Sequence, residues 1–164
     1  MKKLVLTLAI VFAGIMSANA QVWIGGGLGA DIQKNHTGIT LSPEVGYAFN
    51  EHWQLALGAG YTFDKSDLGT FNMLSLEPYV RFVPTTIGDK FSLFFDLTGD
   101  FGLIDAAGWS ATLRPGIAWM ATDKWTAAFR FGFLGYDHGY YGVNNGFFMN
   151  CDLASPQIRL YYNF

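Results

Sequence analysis

From residue 21 to residue 164 apolar and polar positions alternate with a period of two, and clusters of Gly, Asn and Asp break the alternation at intervals. That period places successive side chains on opposite faces of a strand, and no stretch sustains the period of an amphipathic helix. Eight segments are predicted as strands: 21–30, 39–49, 53–63, 72–83, 91–103, 109–120, 125–135 and 147–164. Most approach the roughly 9 to 11 residues of a tilted membrane-crossing strand. The connections 31–38, 64–70, 104–108 and 137–146 are mostly long, whereas Asn50–His52 and Thr122–Lys124 are tight turns. The stretch PTTIGDK, 84–90, is longer than a minimal turn. Short turns at one end and longer loops at the other are the pattern of an up-and-down barrel in an outer membrane.

Sorting each segment by face decides which side is apolar. In the second, Ile39, Leu41, Pro43, Val45, Tyr47 and Phe49 oppose Thr40, Ser42, Glu44, Gly46 and Ala48. In the third, Trp53, Leu55, Leu57, Ala59, Tyr61 and Phe63 oppose Gln54, Ala56, Gly58, Gly60 and Thr62. In the seventh, Trp125, Ala127, Phe129, Phe131 and Phe133 oppose Thr126, Ala128, Arg130 and Gly132. A soluble carrier barrel would turn its polar face to water and enrich it in Lys and Glu, yet no strand interior carries a lysine. The expectation is an all-β, eight-stranded antiparallel transmembrane barrel whose apolar face meets lipid and whose small, polar face lines a lumen.

Charge placement sharpens this. Arg81, Arg114, Arg130 and Arg159 all fall inside strands on the face opposite the apolar one, while Lys34, Lys65, Lys90 and Lys124 fall in connections. Glu44, Glu77, Asp96 and Asp100 share the arginine face. A charge facing hydrocarbon at the midplane costs about 2 to 4 kcal/mol, so these eight residues are expected to form a network across the lumen. An eight-stranded interior can be filled by side chains. A solid polar plug is therefore preferred to an ion or proton path. Trp53, Trp119 and Trp125 beside the turns, and Trp109 beside a long loop, form an expected aromatic girdle at the membrane interfaces. For Trp23 the flanking glycines leave the face open. Pro43, Pro78, Pro115 and Pro156 interrupt strands, and the apolar parity flips between Leu153 and Ile158, which predicts a bulge near 154–156. Were one of these prolines to break pairing, a barrel two strands shorter would remain.

Composition agrees: 51% of residues are hydrophobic and 17% aromatic, and only 14% are charged, against about 25% charged in an average soluble domain. The first 20 residues pair Lys2 and Lys3 with an apolar run and a small-residue end, Ala18-Asn19-Ala20. That is the form of a cleaved secretory signal peptide, leaving a single domain, 21–164. Without Lys2 and Lys3, eight basic residues face 13 acidic ones, net −5, which argues against a nucleic-acid partner. Cys151 is the lone cysteine, so no intramolecular disulfide forms.

The motifs SPEVGY (42–47), LEPYVRF (76–82), LRPGIAWMATDKW (113–125) and the terminal Phe164 resemble the small outer-membrane β-barrel proteins of Bacteroidetes-type bacteria grouped as a porin family. The resemblance spans 21–164. It implies periplasmic termini and location in a bacterial outer membrane. It also implies an assembly signal, Leu160, Tyr162 and Phe164, read by the barrel assembly machinery. Ile158 shares that lipid-facing parity.

Chemistry is sparse. His36 and His138, with Ser66, Asp67, Asp105 and Ser110 near the same rim, offer no nucleophile motif, and His52 lies in a turn at the other end. The two loop histidines and DKSD (64–67) lack the ligands of a metal site. No cofactor, metal or catalytic residue is expected. The expected role is non-enzymatic, structural or surface-interactive, with loops 31–38 and 137–146 as the surfaces for a ligand. A lipid-modifying enzyme and a narrow pore are the alternatives.

Overall fold

The computed structural model describes residues 21–33, 36–66, 69–104, 108–139, 145–151 and 157–164, with backbone alone for 30–33, 36 and 66. The signal segment 1–20 and the bulge expected near 154–156 lie outside the described residues. The described residues form ten strands: β1 (Gln21–Gln33), β2 (His36–Ala48), β3 (Trp53–Ser66), β4 (Gly69–Ile87), β5 (Phe91–Ile104), β6 (Trp109–Met120), β7 (Trp125–Arg130), β8 (Phe133–His138), β9 (Gly146–Asn150) and β10 (Gln157–Asn163). All named pairings are antiparallel, and each strand from β1 to β6 bonds to the next. β6 continues onto β7 and, further along, onto β8, so these two form one wall strand in two halves. β9 bonds to β8 and β10 to β7, giving the last wall strand. β10 then closes on β1 from Trp23↔Asn163 to Gly27↔Arg159. The result is a closed eight-stranded antiparallel barrel.

Three elements differ from the sequence reading. β1 and β2 run out to Gln33↔His36, and β3 and β4 to Ser66↔Gly69, so much of 31–38 and 64–70 is paired hairpin. β4 continues through Pro84 to Ile87 because a register shift between Phe82 and Thr85 absorbs the missing donor. The seventh segment breaks at Phe131–Gly132, where Gly132 adopts φ +55°, and the parity of facing reverses beyond it. Phe133, expected on the outer apolar face, therefore lines the lumen.

Outside, the wall presents large apolar side chains such as Leu41, Leu97, Leu103, Leu113 and Leu160, all at least two-fifths exposed. The buried cluster Trp23, Ala56, Tyr79, Val83, Phe94, Ala128 and Tyr161 is inside. Several of its large side chains face a glycine on the adjacent strand: Trp23 opposes Gly46, Tyr161 opposes Gly25 and Phe94 opposes Gly116. A Cβ on Gly46 or Gly116 would overlap the facing ring. The small residues of the inner face thus make room for its large ones.

Candidate functional site in the barrel lumen

At mid-depth the wall delivers acids and arginines to one buried layer. Arg81 and Asp96 are direct partners across β4 and β5, and the guanidinium binds the carboxylate through two bonds, Nε to Oδ1 at 2.7 Å and Nη2 to Oδ2 at 2.9 Å. Arg130 reaches over from β7 to the same carboxylate, with Nε donating to Oδ2 at 2.7 Å and Nη2 at 2.6 Å from it. Arg159 on β10 spans β1 to place Nη1 3.1 Å from Glu44 Oε2 on β2. Gly27 on β1 leaves room for that crossing, since a Cβ there would stand 3.4 Å from Arg159 Cγ. Arg130 Nη2 also lies 3.9 Å from Glu44 Oε2.

Aromatic rings cover these charges. The Arg81 guanidinium lies 4.0 Å from the Phe94 ring centre and 5.3 Å from that of Tyr161, and Arg130 lies 4.8 Å from Tyr79. Arg81 Nη2 donates to the Tyr161 hydroxyl at 3.2 Å. Asp96 is wholly inaccessible, and Glu44, Arg81 and Arg130 are buried. Buried charges are tolerated only when paired and hydrogen-bonded, and cation–π contact adds attraction where water is excluded. The Tyr79 hydroxyl is buried with no hydrogen-bond partner among the described residues, as are Trp23 Nε1, Thr98 Oγ1 and both Glu44 carboxylate oxygens, for which Arg159 at 3.1 Å is an ion-pair partner.

The remaining charged residues sit on the loop side of this layer. Arg114 is opposite Asp96 in register yet turns away, donating from Nε to Thr112 Oγ1 at 3.2 Å and from Nη1 to Gln157 Oε1 at 3.1 Å. Its Nη2 stands 3.9 Å from Asp100 Oδ2, which accepts from Ser110 Oγ at 2.9 Å. Glu77 accepts from Ser75 Oγ at 3.0 Å, and its Oε2 is 3.8 Å from Arg159 Nη2. Each of the eight residues read from sequence as lumenal charges thus has an opposite charge within 4 Å. Two cavities flank the layer: one of about 630 Å³ on the loop side, and one of about 640 Å³ on the turn side, bordered by Trp23, Arg81, Phe94 and Tyr161.

The four tryptophans expected at the membrane interfaces, Trp53, Trp109, Trp119 and Trp125, are outward and two-fifths to one-half exposed. Trp53 packs on Phe82 and Trp125 on Tyr162 at the turn end. Trp119 is level with Phe91 there, and Trp109 stacks on Tyr136 and His138 at the loop end. Leu160, Tyr162 and Phe164 share the outer face, with Tyr162 packed edge-on against Phe164. The polar rim groups do not converge. His138 is on the outer wall, Ser110 is inside on Asp100, and His52 hydrogen-bonds the Val83 carbonyl at the turn end. Asp67 and Asp105, and the side chains of His36 and Ser66, lie outside what is described. Cys151 is exposed. The lumen was read as small and polar, and that reading missed Trp23, Tyr79, Phe94 and Tyr161. The last three share parity with Arg81, Asp96 and Arg159, which was the available signal.

No family model matches the chain, and no curated protein matches it. Among solved structures, the fold is similar to that of the Yersinia pestis outer membrane protein Ail, determined in a phospholipid bilayer nanodisc. The match has a TM-score of 0.50 and 15% identity over 88% of this chain and 98% of Ail. Such a likeness speaks to fold.

Proposed function

We propose that this chain is an integral protein of a bacterial outer membrane, exported with loss of residues 1–20, whose lumen is plugged at mid-depth and whose role is structural or surface-interactive rather than catalytic. One observation carries the reading. A closed wall, with every charge of its mid-depth layer turned inward, exposes a belt of Leu, Ile, Val and Phe on its outside. Water does not tolerate so continuous an apolar belt, whereas lipid requires it, and a closed ladder leaves no edge that hydrocarbon would have to solvate. The girdle tryptophans fit the two interfaces of such a membrane.

The plug reading is supported by Asp96, Arg81 and Arg130, which lock a buried layer between the two cavities. Outer-membrane lipid is then the solvent of the wall. The outward-facing Leu160, Tyr162 and Phe164 are the strand offered to the barrel assembly machinery, and the loops 31–38 and 137–146 are the surfaces available to a ligand. Carbonate-washed membranes should retain the protein, and release into the supernatant would overturn the membrane assignment. In planar bilayers it should give no stable conductance; an ohmic step would replace the plug with a pore.

A further inference from the structure

We infer that the loop-side cavity of the lumen is a binding site for a neutral saccharide of one or two sugar units. The inference rests on the surface-interactive, plugged-lumen reading, because the charged layer is the floor of this cavity. At about 630 Å³ it falls in the range of small-ligand sites, roughly 300 to 1,000 Å³.

Its polar groups differ in kind from those of the layer beneath. There, the Asp96 carboxylate touches Arg81 and Arg130 at 2.6 to 2.9 Å, and Arg159 stands 3.1 Å from Glu44. On the cavity floor the corresponding separations are 3.9 Å for Arg114 to Asp100 and 3.8 Å for Arg159 to Glu77. Those gaps are too long for direct hydrogen bonds. The four side chains are nevertheless held from behind: Arg114 by Thr112 and Gln157, Asp100 by Ser110, Glu77 by Ser75 and Arg159 by Glu44. A site whose groups are fixed by their neighbours and keep unused valences toward a cavity is pre-organised for a ligand.

The pattern of those valences selects the chemistry. Cation and anion alternate in two couples, so an ion of either sign would meet its own charge beside its partner. A hydroxyl accepts from a guanidinium and donates to a carboxylate at once, which matches each couple. Phe133 and Phe148, packed edge to face at 5.4 Å on the same lining, supply an apolar wall for the C–H face of a sugar ring. Arg114 is steadied over Phe133 at 5.5 Å.

The test is saturation-transfer NMR on the full mature chain in nanodiscs, with glucose, galactose, mannose, N-acetylglucosamine and their disaccharides. Glucuronic acid and lysine serve as charged probes. At least one neutral sugar should show transfer. Glu77→Gln and, separately, Phe148→Leu should each weaken it tenfold or more, while Glu51→Gln at the turn end should leave it unchanged. Two variants of different chemistry guard against misfolding, and retained heat-modifiable mobility on gels qualifies each. Transfer to no neutral sugar, equal transfer to the charged probes, or indifference to both variants would overturn the site. Conductance recorded on the same preparation separates the two readings. A silent barrel without sugar binding refutes this site alone, whereas a conducting barrel refutes the plug on which it rests.

Discussion

Asp96 is the residue on which the mid-depth layer turns, and Asp96→Asn tests whether that layer is dry. The carboxylate is inaccessible and accepts three charge-assisted hydrogen bonds, from Arg81 Nε and Nη2 and from Arg130 Nε. Asparagine keeps the volume but turns one acceptor oxygen into a donor facing guanidinium donors. It also leaves two buried cations, of which Arg130 keeps Glu44 3.9 Å away. Removing one partner of a buried ion pair costs about 3 to 5 kcal/mol. At about 1.4 kcal/mol per tenfold, that lowers the folding equilibrium constant between about a hundredfold and a few thousandfold. The assay is equilibrium urea unfolding of the mature chain in phospholipid vesicles, followed by tryptophan fluorescence. The midpoint should fall with an unchanged slope. Asp89→Asn, in the exposed turn between β4 and β5, should leave the midpoint in place. Adding Arg130→Gln to Asp96→Asn should recover part of the loss, because it removes one of the orphaned cations. A loss below about 1 kcal/mol for Asp96→Asn would refute the reasoning. The guanidiniums would then already be hydrated, and the layer would be a wet constriction.

Tyr161→Phe removes the hydroxyl that accepts from Arg81 and should cost about 1.5 to 3 kcal/mol, whereas Tyr79→Phe removes a buried hydroxyl without a partner and should be neutral or stabilising. Both are read from urea midpoints. Gly46→Val should push the Trp23 ring off its seat, costing about 1 to 3 kcal/mol and shifting the tryptophan emission. Leu97→Arg, outward at the middle of β5, should destabilise the vesicle-inserted barrel by about 2 to 4 kcal/mol. Brominated lipids should quench Trp53, Trp119 and Trp125 but spare Trp23, measured in single-tryptophan variants. Equal quenching of Trp23 would contradict its lumenal position.

The wall was legible from sequence because a half-buried strand must alternate, and lipid makes the contrast between faces extreme. Alternation fixes facing only while the register is unbroken. At Gly132 one left-handed residue reverses the parity, so Phe133 was assigned to lipid although it belongs inside. Pro84 looked like the end of a strand, but a register shift carries the hairpin on to Ile87. Trp23 could not be assigned because Gly25, Gly26 and Gly27 offer no contrast with their neighbours. The charged residues announced themselves through their isolation on the inner face. Which arginine meets which acid depends on reach across the lumen. Cross-strand register alone would have given Asp96 to Arg114 as readily as to Arg81.

The seam between β1 and β10 joins strands from opposite ends of the described chain, and Phe164 N donates to Val22 O across it at 3.0 Å. The strand that completes the wall also carries Arg159 and Tyr161, the cation for Glu44 and the acceptor for Arg81. Zipping the cylinder shut therefore also completes the neutralisation of its interior, which the Asp96 pairs with Arg81 and Arg130 begin. Until it happens, Glu44 faces the lumen without its nearest cation and the sheet keeps two raw edges. An open sheet would thus leave Glu44 with only the more distant Arg130, 3.9 Å away, and Arg81 without its hydroxyl acceptor, so closure of the wall and completion of the inner layer reinforce each other.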